Sequence, residues 1–385
     1  MIRALVTLMI ALALGACASH PAAITFHANE NPESLADWGL FDVKDGHIAP
    51  RAGLVSYELA TPLFSDYAQK WRAVFVPKGM SAKYDPVKTF DFPVGTIIAK
   101  TFYYATPVGT APGTSEHVLK VTPAVYQPGD KGLDLSHARM IETRLLVKRA
   151  DGWQALPYVW NAEQTEATLQ RTGAEIPLVF DEAGKSTRFT YTVPNVNQCA
   201  GCHATDRTKT LMPIGPKARH LNRDFPGIGG DINQLTRLTK IGYLLGAPSP
   251  ATAPRDARFT DLTASIDARA RAYLDINCAH CHSATGPARV SGLWLDSPTM
   301  DLRKLGTCKP PIAAGTGTGN RVYSIVPGHP EQSIMAYRLE SDDPGEMMPE
   351  NGRSLTHAEG VALIKQWIAG LKGGCEAGND LPRSS

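Results

Sequence analysis

One short pattern occurs twice in this chain: Cys199-Ala-Gly-Cys202-His203 and Cys278-Ala-His-Cys281-His282. Such a pattern limits the fold, because C-x-x-C-H is the spacing by which c-type haem is attached to protein. Each cysteine sulfur can form a thioether with a haem vinyl group, and the adjacent histidine then lies beneath the iron as an axial ligand. A single copy is equally compatible with a thiol redox pair. Two copies, each with its trailing histidine, predict two covalently bound haem c groups at Cys199, Cys202, Cys278 and Cys281. The predicted proximal iron ligands are His203 and His282.

The N-terminus bears on whether such attachment is possible. A short basic start, Met1-Ile-Arg3, leads into an apolar run from Leu5 to Leu14. The run is too short to span a bilayer and reads as a secretory signal peptide over residues 1–16. Leu14-Gly15-Ala16-Cys17 resembles the bacterial lipobox, which implies that Cys17 is lipidated. Plain cleavage nearby, giving a soluble periplasmic protein, is the alternative. Ala18, rather than Asp, favours the outer membrane by resemblance to lipoprotein sorting. The expected location is therefore the bacterial cell envelope, lipid-anchored and facing the periplasm, with no second apolar run to cross a membrane. Of the seven cysteines, one goes to lipid and four to haem. Cys308 and Cys375 remain, and in an oxidising compartment they are expected to form a disulfide, two unpaired thiols being the alternative. A net charge of +2 with 20% charged residues is not a nucleic-acid binder's footprint.

The expected fold is multidomain α+β: an N-terminal antiparallel β domain followed by two mainly α-helical cytochrome c-like modules. Residues 17–55 read as a lead-in and 56–192 as the β domain. Strand-like runs there include Trp71–Val76, Gly95–Tyr104, Glu142–Lys148, Trp153–Trp160 and Arg188–Val193, with Asp151-Gly152 as a hairpin turn. Asn161–Leu169 reads as a short surface helix. The first haem module spans 193–247, a proline-rich linker 248–260, the second module 261–376 and a tail 377–385. Asp231–Leu245 has helical spacing at Ile232, Leu235, Leu238, Ile241 and Leu245. Ser265 reads as the N-cap of a helix entering the second motif. Thr356-His-Ala-Glu359 has capping-box spacing before a last helix with Val361, Ile364, Ile368 and Leu371 on its apolar face.

The second module resembles class I cytochrome c: a helix carrying C-x-x-C-H, a loop with Met-Pro, then a closing helix. That resemblance implies that Met348, directly before Pro349, is the sixth iron ligand, with Met347 as the alternative. It also implies that the Gly286-Pro287 carbonyl accepts the His282 ring N–H, and that Tyr273 and Trp367 serve the contact between first and last helices. In the first module Gly215-Pro216 holds the same place, but the usual downstream Met is missing. Met212 is the nearest candidate ligand; His220, Tyr243, His117 and His137 are rivals, and an open iron is a further possibility. His280 reads as a spacer inside its motif, His329 as a turn residue, and His357 as solvent-facing.

Phe92-Pro-Val-Gly-Thr, Tyr191-Thr-Val-Pro-Asn-Val-Asn-Gln-Cys, Pro213-Ile-Gly-Pro-Lys-Ala-Arg-His-Leu-Asn222 and Val326-Pro-Gly-His-Pro-Glu-Gln-Ser-Ile resemble a bacterial family of lipoprotein dihaem c-type cytochromes. The resemblance implies an electron carrier whose partners are periplasmic or membrane redox proteins, as donor and acceptor, with no nucleic acid. A peroxidase-like dihaem enzyme using an open or weakly ligated first haem is the alternative. A third reading gives the β domain a small molecule or a dehydrogenase partner. No Ser-His-Asp arrangement, phosphate-binding loop or dinucleotide fingerprint stands in the sequence.

Overall fold

A computed structural model describes residues 23–110, 113–120, 129–205, 210–227 and 230–375. The expected signal peptide, Cys17 and the 377–385 tail lie outside the described residues. The chain is mostly β, built on one curled sheet of nine strands. In chain order these are β1 (Val55–Tyr57), β2 (Gln69–Phe75), β3 (Ile97–Ala105), β4 (His117–Leu119), β5 (Ala138–Arg149), β6 (Gly152–Trp160), β7 (Ala167–Leu169), β8 (Ala174–Glu182) and β9 (Lys185–Val193). The path β1-β2-β3-β5-β6-β7 is antiparallel, and β4, β8 and β9 extend it from the far end of β3. Within that extension β4 and β8 pair in parallel.

The expectation of two mainly helical modules is overturned. Six α-helices occur among the described residues: α1 (Val196–His203), α2 (Ala218–Leu221), α3 (Gln234–Lys240), α4 (Ile266–Asn277), α5 (Ile334–Glu340) and α6 (Ala358–Gly370). The physical reason is helix length. With four and seven residues, α2 and α3 are too short to enclose a core of their own. Their apolar side chains Ala218, Leu221, Leu235 and Leu238 pack instead with Val74, Ile98 and Trp153 of the sheet. The 231–245 periodicity misled because Asp231 and Ile232 belong to a hairpin strand, Gly230–Asn233. Asn233 then caps α3, and Gly242 at φ 79° ends it, leaving Leu245 exposed.

The sheet has two working faces. On one, residues expected as a lead-in form the cover: Leu35, Trp38, Leu40 and Ile48 pack on Trp71, Ile97, Leu145 and Tyr158. Trp38 is fully buried, and its Nε1 donates to Tyr158 Oη at 2.8 Å, so the indole loses no hydrogen bond on burial. The second face carries the segments that hold both cysteine motifs. The Asp151-Gly152 turn closes β5 onto β6. The expected helix at 161–169 is absent: Asn161 Oδ1 accepts from the N–H groups of Thr165 and Glu166, folding a turn that feeds β7.

Towards the C-terminus the helical expectations hold better. Ser265 Oγ accepts from Ala268 N at 3.2 Å and caps α4. Helices α4 and α6 touch where Tyr273 lies over Gly360; a Cβ there would meet the phenol oxygen at 2.3 Å. Trp367 Nε1 donates to Asp267 at 2.8 Å on the same crossing. Cys308 and Cys375 are joined by a disulfide, which ties the segment beyond the second motif to the end of the chain's described part. The capping box does not form. Tyr67 Oη accepts from Ala358 N instead, and Glu359 turns to Lys120 and Tyr67. His357, expected to face solvent, is half-buried: it stacks on Phe64 at 4.2 Å and its Nδ1 meets Tyr273 Oη at 3.0 Å.

Burial, partly offset by Glu359, pulls the His357 imidazole down to about 4. A histidine in the unfolded chain protonates near 6.5, so on acidification the unfolded state takes the proton first. The contribution to stability is complete above pH 6.5 and is lost as pH falls towards 4. The protein should therefore lose up to about 3 kcal/mol more over that window than its His357→Gln variant. Urea titrations at a series of pH values check this; equal slopes for the two proteins would refute it.

Candidate functional site: two cysteine motifs on one face of the sheet

The first motif closes α1. Asn195 caps that helix through a reciprocal capping box with Gln198, a signal present in the sequence as Asn-x-x-Gln but not used above. The second motif follows directly on the end of α4, where Cys278 N bonds Leu274 O. The two motifs touch. The Cys281 thiol donates to Gly201 O at 3.6 Å, beside Cys202. The interaction between the two thiols holds Cys202 well below the ordinary thiol range and pushes Cys281 up. His280, the expected spacer, acts electrostatically on Cys202 and on both motif histidines.

The two motif histidines are prepared alike but by different partners. His203 Nδ1 donates to Met212 O at 2.8 Å, a bond that puts the ring proton on Nδ1 and leaves Nε2 a free lone pair. His282 Nδ1 bonds Ser291 Oγ at 3.0 Å. The Gly-Pro carbonyls expected in these roles do not serve: Pro216 O accepts from Phe90 N instead. Burial, then Lys100, pulls the His203 imidazole down to about 4; burial, then His280 and Arg338, does the same for His282. Both rings are thus held neutral, the state in which imidazole binds a metal.

Met212 is brought beside His203, but through its backbone, which sits on the Nδ1 side of the ring. Its side chain therefore starts from the side opposite to Nε2. Its rivals are engaged elsewhere: His117 pairs with Asp181, and Tyr243 Oη donates to Gly53 O. Met348 lies on the loop between α5 and α6, with its N–H on Arg338 O and its carbonyl accepting from Arg353. This loop borders the second motif closely enough for Glu350 to act on Cys281 and Arg338 on His282. Met347 is buried beside it.

His220 is fully buried in a charged knot. Asp275, on α4 just ahead of the second motif, accepts two hydrogen bonds from Arg219, each at 2.8 Å, and meets His220 Nε2 at 2.8 Å. Asp256 lies 3.6 Å from Arg219 and 3.5 Å from His220 Nδ1. Burial alone would raise the Asp275 pKa, but the His220 and Arg219 hydrogen bonds hold it well below the carboxylate range. These three His and Asp side chains have the spacing of metal ligands. The Arg219 fork already occupies both Asp275 oxygens, so the knot reads as a structural tie. It locks α2, α4 and the 248–260 stretch together. Asn222 adds to this by donating to the carbonyls of Pro250 and Ala253, so the expected linker is stitched down.

Beside the first motif, the second face of the sheet carries an unusual row. Arg72, Lys100 and Arg144 stand directly opposite one another on β2, β3 and β5. Lys70, Phe102 and Glu142 form the next row. Like charges placed directly opposite are destabilising. Arg144 is partly compensated by two hydrogen bonds to Glu142, which also accepts from Tyr191 at 2.7 Å. Arg144, Lys100 and Lys70 lie 4.3, 5.0 and 5.5 Å from the Phe102 ring centre. Burial, then Arg144 and Arg72, pulls the Lys100 ammonium down to about 7. No alternation rule marks this row in advance, because a strand's polar face is ordinarily its solvent face.

No protein-family model, curated protein or solved structure matches this chain. Among the described residues no helix is long and apolar enough to cross a membrane.

Removing one side of the charged knot leaves a buried charge unpaired, at a cost of about 3–5 kcal/mol. Asp275→Ala should lower the unfolding free energy in urea by that amount, whereas a loss below about 1 kcal/mol would show that the knot is not a tie.

Proposed function

We propose that this chain is a membrane-anchored periplasmic dihaem c-type cytochrome that transfers electrons between periplasmic redox partners. The observation that carries the reading is the pairing of two C-x-x-C-H motifs whose histidines are both held neutral with Nδ1 engaged. Each cysteine thiol would add across a vinyl group, the sulfur bonding one vinyl carbon and the hydrogen going to the other. His203 and His282 would each offer Nε2, and bound haem would supply a one-electron iron couple. The contact between Cys202 and Cys281 favours a carrier, because thioethers there would hold the two groups at adjoining positions. Met348 is proposed as the sixth ligand of the second haem. Lipid at Cys17, an outer-membrane location and periplasmic donor and acceptor proteins belong to the same proposal.

One observation favours a second reading. Met212 meets His203 through its carbonyl and its side chain is exposed, which favours a peroxidase-like open haem at the first site. Expression with haem-maturation machinery separates the two. The carrier predicts two covalent haems per chain, with neither ferrous haem binding carbon monoxide and no turnover of peroxide. Met348→Ala should then open one haem to carbon monoxide. Protein without covalent haem would overturn both readings, and rapid peroxide turnover by the native chain would favour the second.

A further inference from the structure

The sheet wall beside the first motif is built for an anion. On its second face Ile98 pairs with Val74 and Leu146 in an apolar row, and Arg72, Lys100 and Arg144 form the cationic row beside it. Lys70, Phe102 and Glu142 come next, and Phe102 belongs to a further apolar cluster with Tyr104, Ile141 and Tyr191. A row of three cations, Arg72 buried and Lys100 and Arg144 half-buried, needs negative partners. Glu142 acts electrostatically on Lys100 but takes its hydrogen bonds from Arg144 and Tyr191. Glu58 acts on Arg72, and Asp66 acts on Lys70 while accepting the N–H groups of Ser354 and Leu355. Lys100, at the centre, has Phe102 beneath it and no hydrogen-bond partner among the described residues. It faces the first motif, for it acts on Cys199, Cys202 and His203.

We infer that Lys100, flanked by Arg72 and Arg144, binds the propionate carboxylates of the haem attached at Cys199 and Cys202, making the β sheet one wall of that site. The inference rests on the haem reading above and adds a role for the sheet. The apolar ends of this face are covered by α2, α3 and the β4–β8–β9 extension, which leaves the cationic row to meet the haem's acidic edge. Lys100 is a positioning and charge-setting residue here, outside the iron's coordination.

The test uses the full chain loaded with haem, and haem content is measured first by mass and by the haemochrome spectrum. A chain without covalent haem defeats the haem reading itself. Given two haems, redox potentiometry is run on the native protein, Lys100→Gln and Lys100→Arg. Loss of a cation at the propionates favours the oxidised state, so Lys100→Gln should shift one midpoint potential downward and leave the other unmoved. Lys100→Arg, which keeps the charge, should restore it. Added inorganic phosphate or citrate should change neither potential, because the site is already filled. Two unmoved potentials in Lys100→Gln overturn the assignment. So does saturable phosphate or citrate binding to the haem-loaded protein that Lys100→Gln abolishes, since the row would then serve a free anion.

Discussion

Arg219 and Asp275 form a bidentate ion pair with side chains that are almost wholly buried, and the placement of both cysteine motifs depends on it. The pair joins α2, which follows the first motif, to α4, which delivers the second. The α2 segment is held by the sheet it leans on, whereas α4 also packs into a core of its own with α5 and α6. Two charges removed from water would cost several kcal/mol each, and only near-ideal geometry offsets that. Here the geometry is a full fork, with His220 on the same carboxylate and Asp256 closing the knot. Such a tie contributes more to where α4 points than to how stable the fold is, and where α4 points sets where Cys278, Cys281 and His282 lie.

The second face of the sheet completes the arrangement. Its apolar ends take up α2, α3 and the β4–β8–β9 extension, while its middle keeps cations facing the first motif. Arg72, Lys100 and Arg144 stand in one cross-strand row, the first buried and the other two half-buried. The cost of this row falls on Lys100, whose ammonium is disfavoured by burial and by its neighbours.

Local signals carried a good part of this into the sequence. The strands around Trp71, Ile97, Leu145 and Trp153 follow from β-branched and aromatic runs, α4 from its Ser265 cap, and α6 from the spacing of Val361, Ile364 and Ile368. The cysteine count pointed to Cys308 and Cys375. What the sequence hid was long-range. A four-residue helix and a seven-residue helix leave no periodicity that separates an independent module from an appendage of a sheet. Ile232 and Leu245 had helical spacing, yet a hairpin and Gly242 claimed the two ends. His357 looked exposed because its neighbours Phe64, Phe259 and Tyr273 come from distant parts of the chain. The Nδ1 partners of the motif histidines, Met212 O and Ser291 Oγ, were missed because a resemblance assigned the role to Gly-Pro carbonyls.

The central claim is that the fold brings the two motifs into contact, through Cys281 with Gly201 and Cys202. Electron paramagnetic resonance of the fully oxidised chain, loaded with the two haems proposed for it, tests it most directly. Iron centres held at adjoining positions should give a spin-coupled spectrum that differs from the sum of two single-haem variants, one lacking Cys199 and Cys202 and the other lacking Cys278 and Cys281. A spectrum equal to that sum would contradict the account.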